Sequence, residues 1–92
     1  MAAKTYELDI AEHLNTPDDI RDFLNEIAET GDDSDFIHAL GIAARAKGMS
    51  EVASQAGVAR ESLYKSLSEG GNPRFSTISK ITKALGLKIV VA

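Results

Sequence analysis

Between Ser50 and Leu67 the sequence SEVASQAGVARESLYKSL gathers side chains able to recognise another molecule. Arg60, Glu61, Ser62, Tyr64 and Lys65 offer a guanidinium, a carboxylate, two hydroxyls and an ammonium within one short stretch. That set donates and accepts hydrogen bonds and forms ion pairs. Bond-making chemistry has no comparable support. Several serines occur, but no histidine is placed to activate one. His13 and His38 lie far apart and in no metal-ligand spacing such as HExxH. Asp32, Asp33 and Asp35 lack the mid-loop glycine and the bidentate glutamate that a calcium loop requires, and helix capping accounts for them. Gly70-Gly71 reads as a turn and no Gly-rich phosphate loop is present. Without cysteine, disulfides and thiolate metal sites are excluded. The sequence points to a binding protein with no catalytic residue, no metal and no cofactor.

The elements needed to position these side chains follow from spacing. Residues 4–14 read as an extended or weakly helical lead-in, with Tyr6, Leu8 and Ile10 alternating as in a short strand. Thr16 as N-cap, Pro17 at the first helical position, and Asp18 and Asp19 at the positive dipole end open a first helix. Its apolar stripe is Ile20, Phe23, Leu24, Ile27 and Ala28, and Gly31 stops it. Asp33 or Ser34 is expected to cap a second helix running to about Lys47, with Phe36, Leu40, Ala43 and Ala44 inward. Ser50 is expected to cap a short third helix over 51–56. A fourth covers about 60–68, with Leu63 and Leu67 inward. Ser76 is expected to cap a fifth, with Ile78, Ile81 and Leu85 inward; Gly86 ends it and Leu87 packs back. The tail Ile89-Val90-Val91 reads as a strand in need of a partner.

The third and fourth helices form a specific arrangement. Two helices that cross closely need a small residue at the crossing, here Ala53, and a sharp turn between them, here Gly57 with an expected positive φ. Val52, Ala56, Val58 and Leu63 fill the space between the pair. In a helix-turn-helix the second helix enters the DNA major groove. In this sequence that helix opens with Ala59-Arg60-Glu61-Ser62, and its outward positions continue with Tyr64 and Lys65.

Charge adds a second theme. The 92 residues suit one compact domain plus an appended element. Residues 1–35 hold two bases against eleven acids, while residues 36–92 hold eight bases against three acids. Such asymmetry suggests two surfaces with different partners, although plain solvated faces would look the same. No apolar run approaches the roughly 18 residues of a membrane span. The opening MAAKTYELDI lacks the apolar stretch of a secretory signal, so a cytoplasmic location is expected.

The segment 50–67 resembles the helix-turn-helix of the lambda repressor and Cro family, and NPRFSTISKITKALGLKI at 72–89 resembles that family's following loop and helix. The likeness covers roughly 33–87. It implies a mainly all-α fold, a five-helix lambda-repressor-like DNA-binding domain with an N-terminal helical extension and a short C-terminal β-strand. It also implies that Arg60, Glu61 and Lys65 meet base edges. Ser62 and Tyr64 would meet bases or phosphates, and Ser50, Asn72, Arg74 and Ser76 would clamp phosphates. The family usually continues with another helix after Ala-Leu-Gly, where this chain has its apolar tail. The whole layout is similar to the HigA-like antitoxins, or addiction-module antidotes, through Tyr6 to Leu14, Thr16-Pro17-Asp18-Asp19 and the Asp-Phe-Ile-His-Ala-Leu run at 35–40.

That subgroup implies two partners: a small basic RelE/HigB-like ribonuclease toxin, and operator DNA of the protein's own operon. The acidic extension 1–32 would meet the toxin, through Asp18, Asp19, Asp22, Phe23 and Glu26. The domain 33–87 would bind DNA, and the strand at 88–92 would pair either with its own copy in a homodimer or with Tyr6-Leu8-Ile10. A stand-alone helix-turn-helix regulator without a toxin, and an interaction module that has lost DNA binding, are the alternatives.

Overall fold

The computed structural model describes residues 10–68 and 70–91. Five helices fall in the described region after a short helical stretch at 10–13: α1 (Pro17–Thr30), α2 (Asp33–Lys47), α3 (Met49–Ala56), α4 (Arg60–Ser66) and α5 (Phe75–Ala84). The described residues contain no strand. No helix among them is long and apolar enough to cross a membrane.

Two reciprocal capping boxes start the first two helices. Thr16 Oγ1 accepts from the Asp19 backbone N–H at 3.1 Å, and the Asp19 carboxylate accepts from the Thr16 N–H, also at 3.1 Å. Asp32 does the same with Asp35, at 2.9 and 3.0 Å. The cap of α2 is therefore Asp32, in place of the expected Asp33 or Ser34. Only from position 32 does a carboxylate reach the third helical N–H while Asp35 reaches back.

Neither α3 nor α5 is capped by a side chain. Gly48, with φ 119°, joins α2 directly to α3, which begins at Met49, so Ser50 lies inside the first turn and does not cap. Arg74 takes the N-cap position of α5, and Ser76 again lies within the helix. Helix α4 closes at Ser66, with Leu67 as its buried C-cap. The turn at Gly86 (φ 79°) lets the Leu87 N–H donate back to the Thr82 carbonyl at 3.0 Å, folding Leu87 onto the core as expected.

All five helices contribute to the core. Leu40 of α2, Val52 of α3, Leu63 of α4, and Ile81 and Leu85 at the end of α5 are its largest fully buried side chains. Helix α3 packs against α2, α4 and α5, while α1 packs against α2. Helix α1 sends Ile20 and Leu24 inward; Phe23 and Ile27 stay half-buried, as does Phe36 of α2. Ala28 is exposed, contrary to the expected stripe, because it lies at the margin of the face that α2 covers.

The expected C-terminal strand requires correction, and the strand reading at Tyr6, Leu8 and Ile10 fails at Ile10 alone. Residues 10–13 are helical, and residues 4–9 lie outside the described residues. Residues 87–91 form no ladder. A strand needs an edge to pair with, and the described residues supply none.

Candidate nucleic-acid interface

The turn between α3 and α4 positions the candidate surface. Gly57 adopts the left-handed conformation (φ 71°, ψ 31°), as the sequence demands. Val58 N–H then donates to the Ala53 carbonyl at 3.0 Å, and the half-buried Val58 packs on the core. Ala59 is extended and starts α4 only three residues after α3 ends. Ala53 and Ala56 are buried at the crossing, with Val52 and Leu63 beside them in the core. With Leu63 and Leu67 turned inward, Arg60, Glu61, Ser62, Tyr64 and Lys65 are left on the solvent side of α4.

Two of those side chains hold each other. The Arg60 guanidinium lies over the Tyr64 ring, and Nη2 donates to the phenol oxygen. Tyr64 is 39% exposed, so it serves as a surface platform and does not pack inward against a neighbouring helix.

The remaining expected contacts, Ser50, Asn72, Arg74 and Ser76, are all exposed. Ser50 and Ser76 sit in the first turns of α3 and α5, neither of which has a side-chain cap. Asn72 and Arg74 lie on the connection between α4 and α5. That connection is held close by Gly71, whose N–H donates to the Ser68 carbonyl at 2.8 Å. An added Cβ on Gly71 would lie 2.3 Å from the Ser66 carbonyl oxygen.

Two exposed residues escaped the sequence reading. Arg45 of α2 lines a shallow concavity together with Glu61, Tyr64 and Lys65. Phe75, the first residue of α5, is 68% exposed directly after Arg74. Arg45 follows Gly41 by one helical turn, and Gly41 also lines the concavity and lies close to Leu67, so the i,i+4 spacing was the available signal. Phe75 belongs to the Arg-Phe pair of the 72–89 segment that resembles the repressor family, yet a phenylalanine at a helix start reads as core.

The acidic candidates fare differently from one another. Asp18 and Asp22 are exposed and flank Arg21 at 3.3 and 3.4 Å. Glu26 is exposed and Phe23 half-buried. Asp19 is committed to its capping box, where it accepts from both the Asn15 and Thr16 N–H groups. Among the described residues no group of His, Asp or Glu could hold a metal ion.

The fold thus presents the exposed polar face of α4 and the acidic face of α1 on a shared apolar core. The chain belongs to a family described as "Probable addiction module antidote protein", whose model matches residues 4–92. That places it in the antitoxin class of toxin–antitoxin systems. It is 44% identical over 91 residues to an uncharacterized protein of Haemophilus influenzae, a match covering 99% of this chain and 94% of that protein. No solved structure matches it significantly.

Proposed function

We propose that this antidote represses its own operon by sequence-specific DNA binding and neutralises a small basic ribonuclease toxin of the RelE/HigB-like type. The observation that carries the DNA half is the exposed row Arg60, Glu61, Tyr64 and Lys65 on α4, set outward by the left-handed turn at Gly57. In this reading α3 and α4 are the helix-turn-helix of a lambda-repressor-like domain spanning 33–87, and α4 enters the major groove. Arg60 pairs with guanine O6 and N7, Glu61 accepts from cytosine N4, and Lys65 extends the base-facing row. Ser62 and Tyr64 contact bases or phosphates. The first turns of α3 and α5 lack side-chain caps, which keeps their backbone N–H groups for phosphates beside Ser50, Asn72, Arg74 and Ser76.

A single recognition helix reads half a site, so the working form is a homodimer on two half-sites about 34 Å apart. The exposed tail Ile89-Val90-Val91 is the candidate contact between copies. The toxin meets the acidic extension, where Asp18, Asp22 and Glu26 supply charge and Phe23 apolar surface; opposite charge steers a basic partner to it.

A gel shift with the promoter of the protein's own gene tests the first half. Arg60→Ala with Lys65→Ala abolishes the specific complex; retained binding moves the recognition surface elsewhere. Co-expression with the protein encoded by the adjacent reading frame tests the second, and absence of a complex removes the toxin.

A further inference from the structure

A groove runs between α1 and α2, enclosing about 600 Å³. Phe23 and Ile27 line it from α1, Ala39 and Ile42 from α2, and Ile10 from the preceding helical stretch. None of its lining residues belongs to α3, α4 or α5, so it is separate from the surface assigned to DNA. Phe23 and Ile27 rest on the core but are only half-buried, leaving apolar surface uncovered.

The charge around this floor has one sign. Glu26 and Asp35 line the groove together with His38, and among the described residues no lysine or arginine does. Helix α1 as a whole carries five acids against the single base Arg21, and that base is held between Asp18 and Asp22. A polyanion is repelled from such a rim, which excludes nucleic acid as the occupant. A cationic segment is attracted, and an apolar floor between two helices suits the apolar face of a third.

We infer that the α1–α2 groove seats a cationic amphipathic helix of the toxin. One large apolar side chain of that helix packs on Phe23, Ile27 and Ile42, and a flanking lysine or arginine pairs with Glu26. The inference rests on the antidote reading and adds to it the site and the chemistry of the docking segment. Asp35 contributes to the negative field, while one of its oxygens stays with the Asp32 N–H.

The test uses the full-length chain with a photoreactive benzoylphenylalanine in place of Phe23, mixed with the purified protein of the adjacent reading frame and irradiated. The expected result is a cross-link to a lysine- or arginine-rich helix of that protein. In parallel, Glu26→Arg and Ile27→Ser weaken the complex at least tenfold by titration calorimetry, with operator binding unchanged. Glu26 is exposed, so its reversal leaves the fold intact and remains informative if Ile27→Ser unfolds the chain. Cross-links confined to residues 1–9 of the same chain or to a second copy overturn the inference. So does wild-type affinity in Glu26→Arg; in either case a wild-type complex still upholds the antidote reading. If the wild-type chain forms no complex at all, both fall.

Discussion

The Arg60 guanidinium carbon lies 5.5 Å from the centroid of the Tyr64 ring, and Nη2 of Arg60 stands 3.3 Å from the Tyr64 hydroxyl. The two residues are one helical turn apart on α4, so the ring and the planar cation meet without backbone adjustment. The contact narrows the rotamers of a long side chain before any partner arrives. In the proposed role that ordering lowers the entropy lost when Arg60 pairs with a base.

Removing the ring therefore costs operator affinity even if Tyr64 touches no base. Tyr64→Ala is expected to lose about 0.5–1 kcal/mol, the scale of an exposed cation–π contact. Tyr64→Phe keeps the stack and stays close to wild type. Fluorescence anisotropy with a labelled operator measures both, and equal losses in the two variants assign the effect to the hydroxyl.

Arg60 and Arg74 are predicted to fail in different ways. Arg60→Ala costs about 1–3 kcal/mol and relaxes preference at one base pair. Arg74→Ala weakens binding to all sequences alike and lowers the salt-dependence slope by about 1. A binding series over operator variants and salt concentrations separates them; identical behaviour refutes the division into base and phosphate contacts.

Two glycines are predicted to be needed for different reasons. At Gly57 an added Cβ meets nothing within 4 Å, so Gly57→Ala costs only the left-handed strain of about 1–2 kcal/mol. At Gly71 the same atom would fall 2.3 Å from the Ser66 carbonyl and 2.9 Å from that of Lys65. Backbone must move there, so Gly71→Ala is expected to be the more destabilising in thermal denaturation. The reverse order would contradict the close approach of the α4–α5 connection to α4.

Deleting residues 88–92 is expected to convert a dimer to a monomer in light scattering. Ile89, Val90 and Val91 are exposed, so the deletion leaves the helical core and its melting cooperativity intact. An unchanged dimer places the contact between copies elsewhere.

Much of the helical framework was legible in residue spacing. Thr16-Pro17-Asp18-Asp19 carries its own start signal, since the cap, the first-turn proline and the returning carboxylate are all local. Ala53, Gly57 and Leu63 announce the crossing of α3 and α4, because a left-handed turn and a small crossing residue are written in side-chain size. Arg60 and Tyr64 stand at i,i+4, but only the fold shows that Tyr64 stays outward to meet the guanidinium.

What the sequence by itself determined, then, is the order of the helices and the exposed chemistry of α4, both of which follow from periodicities of a few residues. Tertiary structure decided the rest. The run Asp32-Asp33-Ser34 offers three chemically similar caps, and only the approach of Asp35 selects Asp32. Ser50 and Ser76 have the residue type of a cap, yet the chain enters α3 through Gly48 and α5 through Arg74, which places both serines inside their helices. The apolar tail has the composition of a strand, but pairing requires an edge that the described residues lack. The groove beside α1 exists only because α1 lies against α2, and no spacing within either helix reveals a space between them.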